Sequence, residues 1–194
     1  LLCYRLDQRR EYAAALLGIG RPDKVFILYP DQRESCAHAE LCRDFSIYLA
    51  KKELSGLSRT KRYFNYSRMR KTYFGFFLLV PFLHFLEGNR DVFEKGFRQI
   101  VAEHPHHCSK MLFNDAAFIL GDIDERSFLA QPVKSQLLSR FFLVKAMRSE
   151  VVGDKKTALE FYARWRVLKY HEKTWETVLK QFVEWRHKEL GSPP

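Results

Sequence analysis

Glycine and proline, which commonly form turns, are scarce in this sequence: its 194 residues include nine Gly and seven Pro. Chains built from many short strands need these residues at frequent turns, so their scarcity argues against an all-β fold and favours long helices. Apolar residues, in contrast, are plentiful. Hydrophobic residues make up 46% of the chain and aromatic residues 15%, which is enough for a packed interior and excludes an intrinsically disordered protein.

Long apolar runs are also absent. The longest, Gly75–Leu86, covers about twelve residues and contains Pro81 and His84, whereas a membrane-spanning helix needs about 20. We therefore expect a buried helix at this position and no membrane span. The first four residues, LLCY, lack the charged segment followed by a sustained apolar segment that marks a secretory signal.

The four cysteines form no Cys-x-x-Cys pair, and the sequence contains no recognisable catalytic motif. Cys3, Cys36, Cys42 and Cys108 are isolated, which is typical of small core residues in a reducing compartment, so we expect a cytoplasmic location. There is no glycine-rich phosphate loop, no Gly-x-Ser-x-Gly and no His-Glu-x-x-His. The sequence therefore favours a non-enzymatic protein without a cofactor.

Bulky apolar residues recur every three or four positions through most of the chain, which predicts helices. The predicted helices cover about residues 4–17, 34–54, 67–87, 91–103, 109–120, 132–152, 154–170 and 173–190, with a loop or short helix at 123–130. Pro81 should kink or split its helix, whereas Pro132 suits a first helical turn. Residues 24–29, KVFILY, are predicted to form an extended segment or an edge strand.

The predicted fold is therefore all-α, with antiparallel helix pairs stacked as a superhelix-like bundle and at most one short extended segment near residues 24–29. We expect a single domain over residues 1–194. Within it, residues 1–57 can form an N-terminal subregion and residues 66–190 an array of helix pairs.

Two stretches of the sequence, residues 78–105 and 141–171, are similar to each other. Each contains an apolar helix, a Gly-Asn or Gly-Asp turn and a second helix with large apolar residues. The turn glycines are Gly88 and Gly153, which are 65 residues apart. Such internal similarity indicates two structural units with a shared plan.

The pattern in both stretches resembles the tetratricopeptide repeat. From the turn glycine, that family places a small residue five positions on, an aromatic residue nine on and often a proline seventeen on. Ala158 and Tyr162 match in the second stretch, which lacks the proline; Phe97 and Pro105 match in the first, where Phe93 replaces the small residue. The resemblance implies stacked helix pairs with grooves for a peptide or a folded partner. Generic helix stacking is the alternative, because any antiparallel pair of this size shares part of the pattern.

The formal net charge is +10, from 33 Lys and Arg against 23 Asp and Glu. Such a surplus favours an acidic partner, which can be a protein surface, nucleic acid or an anionic membrane. Our leading hypothesis is a protein-protein interaction module, because aromatic residues and Arg are favoured at the centres of interfaces. The candidate partner-binding residues lie near the C-terminus: Tyr162, Trp165, Arg166, Trp175 and Trp185.

A narrower version of this hypothesis is a bacterial immunity protein that binds and neutralises a toxin. Several such families are compact, wholly helical cytoplasmic proteins of similar size, and the chain is similar to them in architecture alone. The positive net charge would suit an acidic toxin surface better than a basic nuclease.

Nucleic-acid binding through residues 59–73 is the first alternative. This stretch interleaves cations with aromatic rings, and proteins hold single strands in this way, through phosphates and stacked bases. Its candidate residues are Arg59, Lys61, Arg62, Tyr63, Tyr66, Arg68, Arg70 and Lys71. At helical spacing, however, the rings would face the core while the cations stay in solvent.

A helical enzyme with an unrecognised or metal-assisted site is the second alternative. The candidate metal ligands are His104, His106, His107 and Cys108. Imidazole and thiolate bind zinc and copper, but consecutive residues point in different directions and no second ligand cluster lies at a recognised spacing, so a polar loop is the other interpretation. Asp122, Asp124 and Glu125 resemble part of a calcium loop but lack its twelve-residue ligand pattern.

Overall fold

The structure is a computed structural model that describes residues 37–55, 73–103, 110–131, 136–169 and 177–192. These ranges contain eight helices and no strand. The helices are α1 (Ala37–Lys51), α2 (Tyr73–Leu86), α3 (Arg90–Glu103), α4 (Lys110–Leu120), α5 (Glu125–Leu129), α6 (Leu137–Val151), α7 (Lys155–Val167) and α8 (Thr177–Gly191). The all-α prediction is confirmed. The helix expected over residues 4–17 and the extended segment over 24–29 lie outside the described ranges.

The chain divides into two compact units, Leu1–Phe76 and Phe77–Pro194, and the division falls within α2. In the first unit, α1 buries Leu41, Phe45 and Tyr48, and the rings of Phe45 and Tyr48 stack with centres 6.3 Å apart. A single domain over residues 1–194, with a subregion at 1–57, stays a prediction. Apart from the end of α1 and the first residues of α2, all features described below belong to the second unit.

Two helix ends differ from the predicted ones because a residue other than glycine has a positive φ. Lys52 has a φ of 60°, so α1 ends at Lys51 and not near residue 54. Gln136 has a φ of 52°, which a right-handed helix cannot include, so α6 begins at Leu137 and not near Pro132. Residues 125–129 form the short helix α5, one of the two outcomes expected there.

Pro81 does not split its helix, because α2 is continuous from Tyr73 to Leu86. A proline inside a helix removes one backbone hydrogen bond, and close packing on the neighbouring helix offsets that loss. Pro81 lies against Gly96 of α3 so closely that a Cβ atom built at Gly96 would be 2.9 Å from Pro81 Cγ. The adjacent Phe82 and Leu83 are fully buried.

The helix pairs α2–α3 and α6–α7 turn in the same way. Gly88 and Gly153 have φ values of 79° and 83°. In each turn the glycine N–H donates to the carbonyl three residues earlier at 3.0 Å, and the next N–H donates to the carbonyl five residues earlier at 2.8 Å. These two hydrogen bonds satisfy carbonyls that the helix end would otherwise leave without a partner.

The same positions are also buried in both helix pairs. Six pairs of residues 65 positions apart are buried: Leu78 and Leu143, Leu79 and Val144, Phe82 and Met147, Phe93 and Ala158, Phe97 and Tyr162, and Ile100 and Trp165. The internal similarity of the two stretches therefore extends from their turns to their packing.

A third turn of this kind lies between the two pairs, at Gly121. Its φ is 89°, and Gly121 N donates to Phe118 O at 3.1 Å while Asp122 N donates to Ala117 O at 2.9 Å. Gly121 follows Gly88 by 33 residues and precedes Gly153 by 32. Helix α5, which comes after this turn, has only five residues, so this middle unit lacks a full second helix.

Aromatic rings connect the first helix pair with the last helix. Phe182 of α8 is fully buried, and its ring centre lies 5.7 Å from that of Phe82 in α2 and 6.0 Å from that of Tyr162 in α7. Helix α8 therefore contacts both helix pairs, and the helices of this unit close into a bundle.

Candidate functional site

Helix α7 has a buried side and an exposed side, and the predicted partner-binding residues are divided between them. Tyr162 and Trp165 are 0% and 1% exposed. The prediction that these two side chains bind a partner is therefore wrong, because both belong to the core and cannot contact another molecule while α7 is in place.

Tyr162 belongs to a buried polar cluster that joins α6, α7 and α8. Its hydroxyl donates to Glu150 Oε1 at 2.8 Å, and Arg186 donates from Nε to the same oxygen at 3.3 Å and from Nη2 to Oε2. Burial raises the pKa of Tyr162 well above its usual value, and the charge of Glu150 raises it further. Because each carboxylate oxygen has a partner inside the protein, the cluster is structural.

A second buried ion pair joins α4 and α6. Arg140 donates to both oxygens of Asp115, from Nη2 at 2.6 Å and from Nε at 3.2 Å, and also to Gln131 Oε1 at 3.2 Å and Met111 O at 2.8 Å. Burial raises the pKa of Asp115 to about 6, while the charge and hydrogen bonds of Arg140 act to lower it. The pair is therefore ionised near neutral pH and holds the two helices together.

The tryptophan candidates lie in the last predicted helix. Trp185 is half-buried, with its ring 6.1 Å from that of Phe182 and the guanidinium of Arg186 4.9 Å from its centre. Its role in partner binding stays a prediction. Trp175 lies outside the described residues.

The exposed side of α7 is strongly basic. We call this surface the basic face, and it consists of Lys155, Lys156, Glu160, Arg164, Arg166, Val167 and, just beyond the helix, Lys169. Five of these residues carry a positive charge and one carries a negative charge. Val167 is 83% exposed, so an apolar side chain lies among the cations.

A half-buried aromatic ring, that of Phe161, adjoins the basic face. The guanidinium of Arg164 lies 4.9 Å from its centre, and the ammonium of Lys145 in α6 lies 5.9 Å from it. Arg164 also pairs with Glu160, and Lys145 with Glu125. Exposed ion pairs contribute about 0–1 kcal/mol, so carboxylates of a partner can replace them at little cost.

Arg166, a candidate from the sequence, lies on the basic face where α7 meets α8. Its Nε donates to Glu184 Oε2 at 2.7 Å, and its Nη1 lies 3.2 Å from His187 Nδ1. Burial lowers the pKa of His187, the charge of Arg166 lowers it further, and Glu184 opposes this. A neutral His187 can accept a hydrogen bond from Arg166, so this contact holds Arg166 at the surface.

The candidates for the two alternative functions lie mostly outside the described residues. The basic-aromatic stretch is undescribed up to residue 72, and α2 begins at Tyr73; His104, His106, His107 and Cys108 are undescribed as well. Across the described ranges, no group of three or more His, Cys, Asp or Glu side chains is arranged to hold a metal ion.

The acidic residues that resemble a calcium loop all bind groups of the protein. Asp122 pairs with Arg98 at 2.6 Å, and Glu125 pairs with Lys145 at 3.2 Å. Asp124 accepts a hydrogen bond from the backbone N–H of Ser127 at 2.7 Å and so caps α5. Their arrangement is explained by the ends of α4 and α5.

None of the helices that the structure describes combines the length and the apolar composition needed to cross a bilayer. Compared with protein-family models, with curated proteins and with solved structures, the chain matches none of them. The fold class therefore rests on the helices of this chain alone, and the function has to be inferred from its surfaces.

Two features of the site differ in how visible they are in the sequence. The basic face could have been found by counting charges along the predicted helix 154–170, because cations far outnumber acids there. The pairing of Glu150 with Arg186 could not, because the two residues are 36 positions apart and no local pattern connects them.

Proposed function

We propose that this chain is a non-enzymatic protein-interaction module whose basic face binds an acidic surface on a partner protein. The observation that carries the proposal is the excess of exposed cations on α7: Lys155, Lys156, Arg164, Arg166 and Lys169 against Glu160. Cations gathered on one surface attract a partner of opposite charge and accelerate its association.

The position of two of these lysines supports the proposal. Lys155 and Lys156 lie in the first turn of α7, which contains no acidic residue. The positive end of the helix dipole favours acidic side chains there, so two cations are unfavourable for the helix itself. Placements that are locally unfavourable are expected where a surface serves function.

The turn geometry supports a tetratricopeptide-like arrangement of helix pairs. The glycine turns at 88, 121 and 153 recur after 33 and 32 residues, close to the family's period of about 34. Helix-pair repeats present rigid surfaces to partners. A non-enzymatic role is supported by the strongly shifted ionisable groups Asp115 and Tyr162, which are bonded within the core and do not face a cleft.

Charge reversal on the basic face tests the proposal. The test variant carries Lys155→Glu, Lys156→Glu and Arg164→Glu; the control carries Lys95→Glu, Lys110→Glu and Arg126→Glu, three exposed cations elsewhere with the same total change in charge. Immobilised full chain captures proteins from nuclease-treated extract of the source cells. Each captured protein is then purified and titrated by calorimetry against all three chains.

We expect an acidic protein that binds the wild type and the control alike and binds the test variant about a hundredfold more weakly, because like charges then oppose each other. Equal binding to all three chains would contradict the role of the basic face. Capture that occurs only from a parallel extract without nuclease treatment would favour the nucleic-acid alternative instead. The immunity-protein version additionally requires that the captured protein is a toxin whose activity the chain abolishes.

A further inference from the structure

A pocket of about 370 Å³ lies where four helices of the second unit meet. It is lined by Phe118 of α4, Asp124 and Glu125 at the start of α5, Lys145, Arg148, Ser149 and Val152 at α6, and Asp154 and Thr157 at the start of α7. Its volume is near the lower end of the roughly 300–1,000 Å³ of small-molecule sites, so it suits a small ligand.

Two aspartates give the pocket negative charge with unused hydrogen-bonding capacity. Asp124 and Asp154 each accept a backbone N–H through Oδ1, from Ser127 at 2.7 Å and from Thr157 at 3.0 Å. Hydrogen bonds from the backbone and side chain of Ser127 lower the pKa of Asp124, and those from the side chain and backbone of Thr157 lower the pKa of Asp154, so both carboxyls are ionised at neutral pH. A carboxylate has about four lone-pair sites, so each aspartate can accept further hydrogen bonds from a ligand.

Two cations face the same pocket. Lys145 and Arg148 are three residues apart and therefore lie on one side of α6. Lys145 Nζ donates to Glu125 Oε2 at 3.2 Å, and Arg148 Nη1 donates to the backbone oxygen of Ile123 at 3.2 Å. An ammonium has three N–H donors and a guanidinium five, so both cations keep donors for a ligand.

A serine hydroxyl without a partner in the described residues opens onto the pocket. Ser149 lines the pocket and is 5% exposed, and its hydroxyl makes no hydrogen bond with any residue that the structure describes. The hydroxyl oxygen is not fully enclosed, so a polar group in the pocket can form a hydrogen bond with it.

We propose that this pocket binds a small zwitterion of the α-amino acid type, with its ammonium at Asp124 and Asp154 and its carboxylate at Lys145, Arg148 and Ser149. A simple anion would meet the carboxylates of the pocket and a simple cation would meet Lys145 and Arg148, so only a ligand with both charges satisfies both sets of groups. Val152, which is 71% exposed, offers apolar contact to a short aliphatic side chain.

The test is titration of the isotopically labelled full chain with the standard amino acids, followed by amide chemical shifts and by calorimetry. For valine the matched fragments are isovalerate, which lacks the ammonium, and isobutylamine, which lacks the carboxylate. We expect one or more amino acids to shift amides around residues 145–157. The dissociation constant of an amino acid that binds should be at least about tenfold lower than that of either of its matched fragments, because charge-assisted hydrogen bonds are needed at both the ammonium and the carboxylate.

Two pocket variants and one control complete the experiment. Asp154→Asn removes the charge but keeps a good helix cap, so it should weaken binding about tenfold without unfolding α7. Ser149→Ala should also weaken binding, whereas Asp91→Asn, an exposed aspartate of α3, should leave it within about twofold. The proposal is overturned if no amino acid binds saturably up to about 10 mM, if the fragments bind as tightly, or if both pocket variants bind like the wild type.

Discussion

The helix pairs α2–α3 and α6–α7 share a turn but differ in what holds their helices together. Gly88 and Gly153 have nearly equal φ values, and the hydrogen bonds around them have the same lengths. In the first pair, rings supply the contact, with Phe85 of α2 5.3 Å from Phe93 of α3. In the second pair, a carboxylate takes part, because Glu150 occupies the position that corresponds to Phe85.

The difference continues at the neighbouring positions. Phe93 and Phe97 of the first pair correspond to Ala158 and Tyr162 of the second, and all four are buried. The second pair therefore gives up the volume of one ring and gains a hydroxyl, which donates to Glu150. The same backbone turn therefore accommodates ring packing in one helix pair and a buried hydrogen bond in the other, while the same positions stay buried in both.

The largest expected effect on stability comes from removing the ring of Phe93, which stands in the first pair where the second pair has Ala158. Phe93→Ala should lower the free energy of unfolding by about 3–5 kcal/mol, because it leaves a cavity among Phe85, Phe97 and their neighbours. Urea denaturation of the full chain measures this. The adjacent Val92, which is 48% exposed, is the control, and Val92→Ala should cost less than about 0.5 kcal/mol.

The reverse exchange probes the second pair. Ala158 is fully buried, so Ala158→Phe should also destabilise the protein, by about 1–3 kcal/mol, because a ring has no space there. If Ala158→Phe were neutral in the same denaturation experiment, the two pairs would not differ in packing as described.

The next prediction concerns the buried charge of Glu150, for which the first pair has Phe85 at the corresponding position. Glu150→Gln should cost about 3 kcal/mol, because it leaves Arg186, whose side chain is 11% exposed, without its counter-charge. Glu160→Gln is the matched control, since its partner Arg164 is exposed, and it should cost less than about 1 kcal/mol. If urea denaturation gave equal losses of unfolding free energy for both variants, the buried ion pair of Glu150 and Arg186 would contribute no more to stability than the exposed pair of Glu160 and Arg164.

Much of the helix pairing could be predicted from the sequence because glycine reports directly on backbone conformation. Gly88 and Gly153 marked both turns, since glycine adopts a positive φ without steric cost. The predicted helices at 91–103 and 109–120 agree with α3 and α4 to within one residue. Exceptions arose at Lys52 and Gln136, where residues that rarely adopt a positive φ end a helix or precede one.

The roles of individual side chains were less predictable, because they depend on distant parts of the chain. Tyr162 and Trp165 were assigned to an interface by residue type, yet Tyr162 packs against Phe182, which lies on a different helix. The pocket likewise combines residues from positions 118 to 157, which no local spacing connects. Local pattern therefore predicted where the helices turn, whereas contacts between helices decided which side chains face solvent.

The smallest expected effect tests what the two pairs share. Gly88→Ala and Gly153→Ala should each lower the free energy of unfolding by about 1–2 kcal/mol, because an L-residue is strained at these φ values. The two losses should be equal, since no atom lies within 4 Å of the added Cβ at either site. Gly191→Ala is the control: this glycine ends α8 without a positive φ and has only an ordinary contact with Leu159 at 3.7 Å, so alanine there should be neutral or slightly stabilising. Urea denaturation of the three variants checks this, and a marked inequality between the two turn variants would show that the turns are alike in hydrogen bonding but not in energy.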